Sequence, residues 1–146
     1  MYKRLTLILS LVLTGCITVR EAPAPASTDP NCKPEEVRSF LQQADSAMTR
    51  LTTLATKFQQ TETADEAPPI IEETQELFAD VMLMNPPECA HELHINLSLA
   101  VANIGSAMSA ITEGDMDLYN RSYGVYQIAA DKANEEYERL RKIVGQ

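Results

Sequence analysis

The densest group of chemistry-bearing side chains in this sequence is Glu88-Cys89-Ala90-His91-Glu92-Leu93-His94, which holds both histidines of the chain. Side chains three residues apart on a helix share a face, and two imidazoles with a carboxylate make a zinc ligand set. Glu88, His91 and His94 are therefore the candidate metal ligands, with Glu35 from a neighbouring helix end as a further carboxylate. Glu88 and His91 also stand at the i, i+3 spacing of two-metal carboxylate sites inside helical bundles. Such sites need two of these pairs and two more glutamates at mid-bundle, whereas here there is one pair, at a helix start. The other reading is a pair of surface or boundary histidines. The His-Glu-x-x-His order of zinc proteases is absent.

A second group is the tyrosine stripe Tyr119, Tyr123, Tyr126 and Tyr137, spaced to lie along one helical face. Tyrosines so arranged either line a groove for a ligand or partner, or bury their rings in a core with each hydroxyl at its rim. There is no Gly-rich phosphate loop, no Gly-x-Ser-x-Gly, no Cys-x-x-Cys-His haem site and no thiol placed as a nucleophile. The chain is accordingly not expected to be an enzyme, and no cofactor is implied. With 12 basic against 21 acidic side chains and a net charge of −9, it lacks the clustered cations that nucleic acid requires. Acidic runs such as Glu72, Glu73, Glu76 and Asp80, or Glu135, Glu136 and Glu138, fall mostly off the apolar stripes and read as a solvated face.

The elements that position these residues follow from period. Val37, Phe40, Ala44, Ala47, Leu51, Leu54 and Phe58 recur in alternating steps of three and four, behind Pro34 and the first-turn acids Glu35 and Glu36. Polar residues 61–63 and Pro68-Pro69 close that helix. A shorter one over about 69–84 carries Ile70, Leu77, Phe78, Val81 and Met84, and ends at Pro86-Pro87. The third carries Ala90, Leu93, Leu97, Ala100, Ile104, Ala107 and Ile111 up to Glu113-Gly114-Asp115, where Gly114 suits a helix end and Asp115 an N-cap. The fourth runs over 116–144. No segment shows a sustained period of two. The expected fold is an all-α, antiparallel up-down four-helix bundle, with a three-helix bundle capped by the short second helix as the alternative. Gly105 and Gly124 would come level in the last hairpin, either to let the third and fourth helices approach closely or as two unrelated glycines.

The N-terminus stands apart from this domain. Lys3-Arg4 precede the apolar run Leu5 to Leu13, followed by Thr14-Gly15-Cys16, the layout of an export signal. Leu13-Thr14-Gly15-Cys16 resembles the lipobox of bacterial lipoproteins. The resemblance implies cleavage before Cys16, a diacylglycerol on its thiol and anchoring in a membrane through lipid. Residues 1–15 would be removed, taking Lys3 and Arg4 with them. Ile17 rather than Asp follows the cysteine, which in that family favours the outer membrane where the host has two. Residues 16–31 read as the lipidated Cys16 and an extended tether, Ile17 to Asn31, with Pro23, Pro25 and Pro30 among Ala, Ser and Thr and a reach of up to ~45 Å. The bundle domain is 32–146, and it resembles no characterised family.

With Cys16 assigned to lipid, Cys32 and Cys89 remain as an even pair in an oxidising, extracytoplasmic compartment. In an up-down bundle the first and third helices begin at the same end, which brings the two together as a disulfide. The expected function is a lipid-anchored, non-enzymatic helical module that binds another protein of the cell envelope. The alternative is an envelope lipoprotein that binds a small ligand or metal.

Overall fold

The computed structural model describes residues 32–61 and 64–145. Four helices follow in order: α1 (Pro34–Gln60), α2 (Ala67–Met82), α3 (His91–Glu113) and α4 (Met116–Ile143). No strand occurs among the described residues. The lipobox, Cys16 and the tether lie outside them.

Cross-helix bonds set the directions. Arg50 meets Asp80 and Lys57 meets Glu73, so α1 and α2 are antiparallel. Gln59 meets Tyr123 and Asp45 meets Tyr137, so α1 and α4 are antiparallel too. The Arg139 guanidinium donates to the Cys89 carbonyl, which sets the end of α4 beside the start of α3. The order is up-down-up-down, and α2 packs on both α1 and α3 as a full member of the bundle.

Local chemistry explains the element ends. Pro34 opens α1, where a missing N–H costs nothing, and Lys33 reaches Glu36 at 2.8 Å. Pro68, expected in the loop before α2, belongs with Pro69 to its first turn, preceded by a 3-10 turn at Ala64–Glu66. The first-turn amide positions have no intrahelical acceptor, so proline is tolerated there. Gly114 has φ 74°, and its N–H donates to Ile111 while that of Asp115 donates to Ala110. This is the six-to-one and five-to-two closure of a Schellman motif, which the left-handed glycine permits. Asp115 then accepts from the Leu118 N–H at 2.9 Å and starts α4.

The core is built from Val37, Phe40, Leu77, Leu93, Leu97, Ile104, Met108 and Leu140, all essentially sealed from solvent. α3 touches all three other helices and pairs most intimately with α4. Buried alanines on both, including Ala100, Ala107, Ala129 and Ala133, make that close packing possible. The two glycines do not mediate it. A Cβ on Gly105 would meet Thr74 of α2, and one on Gly124 would meet nothing.

Candidate functional site

Cys32 and Cys89 form a disulfide with a Cα separation of 5.5 Å. It ties the residue two before α1 to the 3-10 turn Glu88–Ala90 that leads into α3. Arg139 brackets this end, with Nη2 2.8 Å from the Cys89 carbonyl oxygen and Nε 2.7 Å from Glu136.

Glu88, His91 and His94 are not brought together as a ligand set. Among the described residues no three His, Cys, Asp or Glu side chains are grouped to hold a metal ion. The helix sends the two imidazoles to different surroundings. His91 is exposed, while His94 is half-buried with Nε2 2.8 Å from the Val81 carbonyl oxygen at the end of α2. A carbonyl can only accept, so that nitrogen carries the proton and is not a lone-pair donor while the bond stands. The His94 ring also packs edge-on against Phe40, with centroids 6.4 Å apart. His94 thus joins α1, α2 and α3.

The tyrosines fill the seam between α1 and α4. Phe58, Tyr119, Tyr123 and Tyr126 form a ladder with successive centroids 6.2, 5.7 and 5.6 Å apart. All four stripe tyrosines are half-buried and pack on the core. The Tyr123 hydroxyl accepts from Gln59 at 3.1 Å, and the Tyr137 hydroxyl donates to Asp45 at 3.1 Å. Burial, followed by Tyr123 and Asp131, raises the Tyr126 pKa above its ordinary value. Burial and then the bond to Asp45 raise that of Tyr137. Large rings at this seam and alanines at the α3–α4 seam account for the contrast in how closely the helices approach.

The feature that side-chain motifs did not signal is a groove between α2 and α3, of about 450 Å³ and open to solvent. Ile71, Thr74 and Phe78 form one wall, Val101, Ala102 and Gly105 the other, and Leu118 and Glu113 close one end. Period alone places Phe78 on the buried face of α2. It stands one residue on from Leu77, about 100° around the helix, and so reaches the edge of the apolar arc and lines the groove, 37% exposed. Other apolar side chains also lie open: Met82 on α2, Leu83 just after it, and Ile95 and Leu99 on α3.

Between Glu92 and Glu113 the helix α3 carries no Asp, Glu, Lys or Arg. By length and composition alone, Glu88–Glu113 is apolar enough to cross a membrane, although the helix serves here as the bundle's most connected member. Its outward residues Ile95, Leu99, Ala102 and Ser106 give the bundle an uncharged face. A sequence signal for this surface does exist. No Lys or Arg stands between Lys57 and Arg121.

Fold and site together define a disulfide-stapled, all-helical bundle with an open apolar groove. No family model, characterised protein or solved structure matches the chain.

Proposed function

We propose that this protein is a lipid-anchored, extracytoplasmic, non-enzymatic module that uses its helical bundle to bind another protein of the cell envelope. The observation that carries this reading is the groove between α2 and α3, walled by Ile71, Phe78, Val101 and Ala102 and open to solvent. A groove between two helices is a form of surface into which a partner helix lays its apolar face. The lipobox-like Leu13-Thr14-Gly15-Cys16 and the Pro-rich residues 16–31 support the anchor, with Cys16 as its attachment point and the outer membrane as its place in a two-membrane host. The Cys32–Cys89 bridge fits an oxidising compartment.

The ligand- or metal-binding alternative draws less support, because His94 Nε2 is engaged by Val81 and neither histidine lines the groove. Two measurements test the proposal. Labelling with radioactive palmitate should mark the wild-type chain and not Cys16→Ser. Affinity capture of the full chain from solubilised membranes, after cross-linking in its host, should recover an envelope protein, and recovery of none would count against it. Metal analysis of protein purified without a histidine tag addresses the alternative.

A further inference from the structure

We propose that the occupant of the α2–α3 groove is a cationic amphipathic helix of the partner protein, an inference that rests on the envelope-partner reading above. The argument begins with how charge is distributed over the bundle. Every Lys and Arg of the described residues lies on α1, on α4 or just before α1, and α2 and α3 carry only acids besides their histidines. Two acids of α2 are neutralised by α1: Glu73 pairs with Lys57 at 2.7 Å and Asp80 with Arg50 at 2.5 Å. Those beside the groove are not. Glu113 lines one end; Glu72, exposed on α2 one turn before Gln75, which also lines the groove, stands outside the lining itself; neither makes an ion pair among the described residues. The result is an apolar trough with an acid at one end, formed by two helices that carry no Lys or Arg, with Arg121 of α4 one turn beyond the lining residue Leu118.

A partner that complements this surface must bring apolar side chains for Ile71, Phe78 and Val101 and cations for Glu72 and Glu113. A helix with an apolar stripe and flanking Lys or Arg meets both demands, in the helix-in-groove mode of peptide recognition. The described residues offer no strand edge, so addition of an extended strand has no template. Other occupants fit less well. A second copy meeting the first groove to groove would bring no cation to Glu113, because α2 and α3 carry no Lys or Arg. An anionic lipid surface would be repelled by the same acids. Residues 16–31 of this chain carry Arg20 against Glu21 and Asp29 and so are not cationic.

The test uses the full chain reconstituted in phosphatidylcholine vesicles. One probe is a synthetic Leu/Lys amphipathic peptide about five helical turns long; the other is its Leu/Glu counterpart, with empty vesicles as the blank. The Lys peptide should bind about tenfold more tightly than the Glu peptide. The double variant Glu72→Lys/Glu113→Lys should lower its affinity about tenfold, and Phe78→Ser should do the same. The charge-matched control Glu35→Lys/Glu135→Lys, on α1 and α4, should change it less than about threefold. All these positions are at least partly open to solvent, and circular dichroism confirms that each variant is folded. Equal binding of the two peptides, or equal loss in the groove variant and the control, overturns the proposal.

The occupant is then identified in the host by a benzophenone cross-linker placed at Ala102. A cross-linked segment of another protein with Lys or Arg beside an apolar helical face supports the inference. Cross-links to residues 1–31 of this chain, to a second copy, to lipid or to a segment lacking cations overturn it. Cross-links to another protein from Gln42 on α1 but not from Ala102 overturn the groove and leave the envelope-partner reading standing, whereas none from either position overturns both.

Discussion

Tyr137 on α4 donates its hydroxyl to Asp45 on α1 at 3.1 Å, joining the last helix to the first across a gap otherwise filled by aromatic rings. The bond lies near the surface, and Tyr137→Phe is expected to cost only about 0.5–1 kcal/mol in urea unfolding. Its pH dependence is more telling. The folded pKa of Tyr137 is raised above the ordinary tyrosine value of about 10, so its contribution is fully present below about pH 10 and is lost as pH rises through the folded value. Tyr126 acts in the same direction. Tyrosinate absorbance should therefore develop later in the folded protein than after denaturation, and the Tyr126→Phe/Tyr137→Phe variant should lose less stability above pH 10 than the wild type.

The Cys32–Cys89 bridge closes a separation of 57 residues. On the chain-entropy model such a loop stabilises the folded state by ~4 kcal/mol, a large share of the ~5–15 kcal/mol typical of a domain. Reduction with dithiothreitol should shift the urea midpoint strongly downward, and the folded, non-reduced protein should show no thiol from Cys32 or Cys89 in an Ellman titration. Coincident midpoints with and without reductant would remove the bridge from the stability argument.

The two mid-helix glycines should respond in opposite ways to alanine. Gly124 faces open space, so Gly124→Ala is expected to stabilise by about 0.5–1 kcal/mol through helix propensity. A Cβ on Gly105 would stand 3.2 Å from Thr74 Cγ2, and Thr74 is buried and held by its hydroxyl on the Ile70 carbonyl at 2.7 Å. Gly105→Ala should therefore lower the melting temperature, and adding Thr74→Ser, which removes the obstructing methyl, should restore it.

His94 is expected to behave as a structural residue. His94→Ala leaves the Val81 carbonyl without its ring partner and opens space beside Phe40, which should cost ~1–3 kcal/mol. His91→Ala, on the exposed side of the same turn, should stay within about 0.5 kcal/mol of wild type. Equal losses from the two substitutions, read by thermal melting, would contradict the inward role of His94.

Much of the architecture was legible in the residues. Steps of three and four placed four helices, Gly114-Asp115 marked the last turn, and the parity of an up-down bundle set Cys32 and Cys89 at one end, where they form a disulfide. Period identifies the apolar side of a helix but not which neighbour receives it, and there the reading stopped. Phe78 and Leu77 are adjacent letters of one stripe, yet one lines an open groove and the other is sealed. Gly105 and Gly124 matched each other across a hairpin on paper, while Gly105 turns to a different helix. His91 and His94 shared a metal-like spacing, but only the position of the Val81 carbonyl determines what His94 does. The groove announced itself only as an absence of Lys and Arg over two helices, a pattern that gains meaning once α2 and α3 lie side by side.

The disulfide also decides how the bundle carries a load. Tension applied between the N-terminal segment and the C-terminus enters at Cys32, crosses the sulfur atoms to Cys89 and continues along α3 and α4. Residues 33–88, with all of α1 and α2, lie inside the covalent loop and off that path. Were the N-terminus held in a membrane, a pull on the domain would strain the α3–α4 hairpin, the most closely packed pair, and leave α1 and the outer wall of the groove mechanically shielded.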